Sequence, residues 1–128
     1  MDKRDLDLGF TYILQGRELY DPEDLMDRII ADYKRTLTLK PDDHTTYFRR
    51  ADAYLDLSDA DRAIADFDRA NQLYPDFAAY YYKRGLAYRL NLDRDRAIAD
   101  FHDVVRLSGD ADFRQLAKDQ LEHLDATL

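Results

Sequence analysis

The stretch DRAIADF occupies Asp61–Phe67 and returns at Asp95–Phe101, 34 positions later. A looser copy, DRIIADY, lies at Asp27–Tyr33, another 34 positions upstream. A fixed period of this size is the mark of stacked supersecondary units, none of which can bury its apolar face alone. The match extends well beyond the seven residues. With 44–77 laid over 78–111 and no gap, Tyr47 meets Tyr81, Ala51 meets Gly85, and Ala53-Tyr54 meets Ala87-Tyr88. Ala63-Ile64 meets Ala97-Ile98, Asp66-Phe67 meets Asp100-Phe101, Ala70 meets Val104, and Leu73 meets Leu107. Residues 10–43 form a weaker first copy, in which Ile30, Asp32, Tyr33, Leu39 and Pro41 stand in register with Ile64, Asp66, Phe67, Leu73 and Pro75.

Each unit reads as two helices. Tyr47, Ala51, Tyr54 and Leu55 recur at helical spacing, as do Tyr81, Gly85, Tyr88 and Leu92. A polar turn follows (LSDAD, NLDRD), and then a second stripe of Ala63, Ile64, Phe67, Ala70 and Leu73. Pro41 and Pro75 close two units, and Gly109 stands as the stop of the third. Asp43 and Asp76, each after a proline, read as N-caps, and YDPEDL at 20–25 is a helix start. The pattern predicts helices near 6–20, 22–38, 43–56, 60–73, 77–90, 94–107 and 111–125. The last leaves the repeat. Its Phe113, Leu116, Ala117, Leu121 and Leu124 make one stripe, with Arg114, Lys118, Asp119 and Glu122 opposite, as expected of a helix capping the end of a stack.

Bulk properties narrow the function. At 128 residues the chain reads as a single domain, and its 45% apolar content suits a folded core. A net charge of −8 argues against a nucleic-acid partner, which needs a basic face. Cysteine is absent, which removes thiolate metal sites, disulfides and cysteine nucleophiles. No apolar run is long enough to span a membrane and no signal peptide is visible, so the expected location is cytoplasmic and no membrane partner is expected.

Candidate chemistry does not assemble. DLSDADR at 56–62 and NLDRDR at 91–96 resemble fragments of a calcium loop, which needs Gly at its sixth place and Glu at its twelfth. Counted from Asn91 those places hold Arg96 and His102, and from Asp56 they hold Asp61 and Phe67. The aspartates instead read as caps on the second helices. His44, His102 and His123 are far apart, and no glycine-rich phosphate loop or nucleophile motif exists. The sequence therefore predicts no enzyme, no cofactor and no metal.

The period, the small residues Ala51, Gly85, Ala63 and Ala97, the aromatics Phe67 and Phe101, and the prolines Pro41 and Pro75 together resemble the tetratricopeptide repeat (TPR) family. The resemblance covers about residues 10–111, as three repeats at 10–43, 44–77 and 78–111 with a capping helix at about 111–125. The first repeat departs from the pattern, with Ile29 and Thr36 where small residues are expected. The resemblance implies an all-α right-handed solenoid of antiparallel helix pairs, about seven helices in all. It also implies that the first helix of each repeat lines a concave groove that binds a protein or peptide segment. Carried over residue by residue, the groove positions are Leu14, Glu18, Thr45, Phe48, Arg49, Asp52, Tyr82, Lys83, Leu86 and Arg89. Tyr81 falls on the packing position and Tyr82 on the groove side. Family members that clamp a chaperone's C-terminal carboxylate do so with Lys, Asn, Asn, Lys and Arg, where this chain has Leu14, Glu18, Arg49, Ala79 and Lys83. The expected function is a non-catalytic adaptor or scaffold whose partner segment carries an apolar anchor and some acid. The alternative is a self-associating module that forms a homo-oligomer through a terminal helix.

Because the aspartate clusters lack the geometry of a calcium loop, calcium and a chelator should leave the thermal melting curve unchanged at constant ionic strength. A shift saturating at micromolar calcium would contradict this.

Overall fold

The computed structural model describes residues 22–124, and the helix expected at 6–20 lies outside them. Six helices follow one another: α1 Pro22–Leu39, α2 His44–Asp56, α3 Ala60–Leu73, α4 Ala78–Leu90, α5 Arg94–Leu107 and α6 Ala111–His123. There is no strand among the described residues. Each helix packs on the next along the chain, and α2 also touches α4. The fold is therefore all-α, with contacts made between neighbours in sequence.

The repeated heptapeptide builds α3 and α5. Asp59 and Asp93 are their N-caps, each accepting a hydrogen bond at 3.3 Å from the backbone of Arg62 or Arg96. Within α3, Ala63, Phe67 and Ala70 lie one turn apart and are fully buried, as are Ala97, Phe101 and Val104 in α5. Fully burying each phenylalanine contributes about 1.5–3 kcal/mol. Phe67 gathers Ala51, Ala63 and Ala87 around it, and Ala87 belongs to α4, so this core already joins two repeats. Phe101 lies in a second core with Ala97, Val104, Ala117 and Leu121. The last two residues come from α6, which lays its apolar side on α5. Leu116 is not on that buried side, being 49% exposed.

The helix starts differ in chemistry. Asp43 is the N-cap of α2, but its carboxylate accepts from the Thr46 hydroxyl at 2.9 Å rather than from a backbone N–H. Asp76 is not a cap. It takes a left-handed conformation (φ 65°), and Phe77 stands at the N-cap of α4 with no side-chain cap bond. The cap thus falls one residue later than Asp76, in register with Asp43 one repeat earlier.

Two positions show what the backbone demands. A Cβ on Gly85 would lie 2.8 Å from Cε1 of Phe101, whose ring is fully buried and cannot give way. Leu92, in the α4–α5 turn, has φ 61° and is 90% exposed, so it bears left-handed strain without burial. We predict opposite effects at these sites. Gly85→Ala should destabilise by about 1–3 kcal/mol through overpacking. Leu92→Gly should stabilise by about 1 kcal/mol, because glycine adopts this conformation freely. Denaturant titrations of both variants check this. A stabilising Gly85→Ala would contradict the close approach of α4 and α5.

Candidate binding face on the first helices

The first helices α2 and α4 are held by a pair of buried ionic clamps. Arg50 donates Nε and Nη2 to the two carboxylate oxygens of Asp66 on α3, at 2.7 and 2.8 Å. Arg84, 34 residues on, repeats this with Asp100 on α5, at 2.9 and 2.7 Å. These are fork-to-fork bonds, the geometry in which guanidinium and carboxylate bind most strongly. Aromatic rings flank both cations. Arg50 lies over Tyr47 and Tyr54, and Arg84 over Tyr81 and Tyr88, with centroid distances of 5.3 to 6.0 Å. Arg84 has a further arm, with Nη1 reaching Asp68 of α3 at 2.8 Å. One residue thus ties α3, α4 and α5 together. The position equivalent to Asp68 one repeat earlier is Lys34, so Arg50 has no such link back to α1.

The electrostatics follow from burial. The hydrogen bonds that Arg84 donates to Asp100 hold its guanidinium charged, above its ordinary range, despite desolvation. Burial pushes the Asp100 carboxyl up, and the Arg84 hydrogen bonds pull it part of the way back. A raised carboxyl makes the folded state pay for ionisation, so its penalty appears as pH rises through the folded pKa. Losing Arg84 removes the compensation and leaves that penalty bare.

The residues expected to line the groove divide between a supporting layer and an exposed one. Phe48 is half-buried, stacked on Tyr80 (4.9 Å) and tilted on Phe67 (5.7 Å). Tyr82, its equivalent, is half-buried against Phe101 (5.6 Å) and Phe113 (5.2 Å), and Leu86 joins the same cluster. These rings join α2 and α4 to the helices behind and after them. Thr45 is half-buried at the start of α2. Arg49 is exposed and makes no ion pair or hydrogen bond among the described residues. Lys83 reaches across to α2, donating Nζ to Asp52 at 3.0 Å. Arg89 donates to the Gln120 side chain of α6. Leu14 and Glu18 lie outside the described residues.

Sequence reasoning missed two features. Arg50 and Arg84 are not singled out by the sequence, whereas they are structural. Among Tyr80, Tyr81 and Tyr82, the fully packed ring is Tyr80, which is 3% exposed. Its hydroxyl lies 2.6 Å from Nδ1 of His44, whose ring stacks on Tyr74 at 4.4 Å. Tyr81 is half-buried beneath Arg84.

The clamp generates a prediction with a pH signature. Arg84→Leu should cost about 3–5 kcal/mol at pH 7, since it strands a buried carboxylate. The loss should shrink as pH falls and Asp100 takes up its proton. Arg84→Leu with Asp100→Leu should recover much of the loss. Urea titrations of both variants between pH 4 and pH 7 test this, and a pH-independent loss in Arg84→Leu would contradict it.

Comparison with known proteins agrees with this geometry. A tetratricopeptide repeat family model matches residues 44–77, and a second matches 79–111. No curated protein sequence matches the chain. Among solved structures, the chain is similar to the first TPR of Spaghetti (RPAP3) bound to the HSP90 peptide SRMEEVD, with TM-score 0.72 and 23% identity over 91% of this chain and 84% of that one. It is also similar to the Arabidopsis OM64 TPR domain, with TM-score 0.70 and 23% identity over 79% of this chain and 84% of that one. MamA aligns with TM-score 0.65 and 22% identity over 95% of this chain and 69% of that one. Together the two family matches span just over half of the sequence, in register with the 34-residue period that builds α2 to α5, and the chain belongs to the tetratricopeptide repeat family.

Proposed function

We propose that the protein is a non-catalytic adaptor that binds an extended segment of a partner protein across the face of α2 and α4. The observation that carries this reading is the arrangement of charge on that face. Arg49 is exposed and unpaired among the described residues, while the neighbouring Lys83–Asp52 pair bridges the two helices. Behind them, Phe48 and Tyr82 are fixed by ring contacts, and the Arg50 and Arg84 clamps hold the frame. A face held this way is ordered before the partner arrives, which lowers the entropy cost of binding. A neighbour with the same fold carries an HSP90 peptide ending in Glu-Glu-Val-Asp. In this chain Ala79 occupies one clamp position and Lys83 is engaged by Asp52, so the reading favours a partner with an apolar anchor and limited acid over a chaperone tail.

Arg49 gives the test, because its side chain supports nothing in the fold. Arg49→Glu should change stability by less than about 0.5 kcal/mol. It should weaken binding of a partner captured by the purified protein about tenfold, mainly through slower association. Tyr82→Ala is a poorer probe, since it removes a ring from the core. Calorimetry of wild type and Arg49→Glu against the captured partner gives the answer. Unchanged binding in Arg49→Glu, together with loss of binding in His102→Glu on the exposed side of α5, would place the site elsewhere.

A further inference from the structure

An open notch of about 450 Å³ lies between the α3–α4 turn and the α5–α6 turn. Its walls are mainly apolar: Phe77, Ala78 and Ala79 at the start of α4, Leu107 at the end of α5, and Phe113 on α6. The volume is in the range of pockets that enclose a ligand group, and it is large enough for a bulky side chain. None of these residues belongs to the Arg49–Lys83 face apart from Ala79, which stands one turn before Lys83.

Phe77 is the unusual member. Asp43 and Asp110 are the N-caps of α2 and α6, yet the cap of α4 is a phenylalanine that forms no cap bond. Its ring packs edge-on against Tyr80 (4.8 Å) and Tyr74 (5.4 Å), yet 44% of the residue stays exposed at the notch. The notch therefore has an apolar floor and one exposed aromatic wall.

Its charged rim has one sign. Asp76 and Asp110 both line the opening and both are exposed. The Asp76 carboxylate has no partner among the described residues. The Asp110 carboxylate accepts only the backbone N–H groups of Asp112 and Phe113, so its charge is not neutralised by a cation. The nearby Arg114 donates to the Ser108 carbonyl at 2.9 Å and does not line the notch.

We propose that this notch is a second docking site, which takes a large apolar side chain from a partner segment carrying lysine or arginine on either side of it. The apolar walls enclose the side chain, and Asp76 and Asp110 meet the flanking cations. The charge preference is opposite to that of the Arg49 face, so the two sites select different segments. The net charge of −8 favours the encounter with a basic segment without fixing where it binds.

The test is an NMR titration of the ¹⁵N-labelled protein with three blocked heptapeptides. One has a central Phe flanked by Arg, the second has Ala in the centre, and the third has Glu in place of Arg. The first peptide should shift the amides of Phe77, Ala79, Gly109 and Phe113 saturably, and should bind at least fivefold more tightly than either of the others. Asp76→Asn with Asp110→Asn should weaken it at least fivefold, and asparagine keeps the α6 cap. Phe77→Asp should abolish the shifts while the protein stays folded, as its unchanged amide dispersion shows. No saturable shift at the notch would overturn the proposal. So would equal binding of the Ala-centred peptide, which would mark diffuse charge attraction. Shifts centred on Arg49 and Lys83 would also overturn it, while leaving the groove reading intact.

Discussion

The Arg84 guanidinium touches three helices. It sits on α4, grips Asp100 of α5 with two hydrogen bonds and reaches Asp68 of α3 with a third. Asp100 is 3% exposed, so its charge is costly in the fold without this partner. Hydrophobic contacts around Phe67 and Phe101 fill the two cores. The bidentate pair between planar groups adds a directional constraint to them. The clamp therefore fixes the register of α4 against α5, and its third arm fixes the angle of one repeat to the next.

The proposed function depends on that angle. A partner lying across α2 and α4 would meet two helices at once, and the Lys83–Asp52 pair bridges those two helices. The rings of Phe48 and Tyr82 also brace the frame, since each contacts the phenylalanine of its own repeat and an aromatic ring on the helix that follows the repeat. The first joint differs, because Lys34 stands where Asp68 stands one repeat later, and Arg50 is left with a single carboxylate.

Most of the frame could be read from spacing. DRAIADF puts Ala, Phe and Asp on positions whose burial repeats at 34 residues, and the ranges 60–73 and 94–107 match α3 and α5. The small residues were legible because an alanine and a glycine in register, Ala51 and Gly85, mark a place where helices press together. The clamps were not legible in the same way. An arginine in a chain with 36% charged residues gives no sign of its own burial. The signal that was available is a Tyr, an Arg three residues on and a second Tyr four further, found at 47–54 and at 81–88 with Asp sixteen residues after each Arg. The adjacent tyrosines defeated the reading for a related reason. Helical periodicity places Tyr80, Tyr81 and Tyr82 on three faces, and an aromatic ring suits all three, so contacts with neighbouring repeats decide which is buried. The proposed binding face was legible only in part. The family resemblance put Arg49 and Lys83 on it, but Lys83's partner, Asp52, is 31 residues away on another helix.

The central claim is that the Arg84–Asp68 arm, with the Lys83–Asp52 and Phe48–Tyr80 contacts, joins two clamped repeats into one rigid body that is formed before any partner binds. Native-state amide hydrogen exchange of the free protein tests it most directly. The account predicts that the slowest amides of α2, α3, α4 and α5 exchange together, at the rate set by global unfolding, with α1 exchanging sooner. Slow amides of α2–α3 exchanging at a rate well separated from those of α4–α5 would show that the two repeats open independently, and would contradict it.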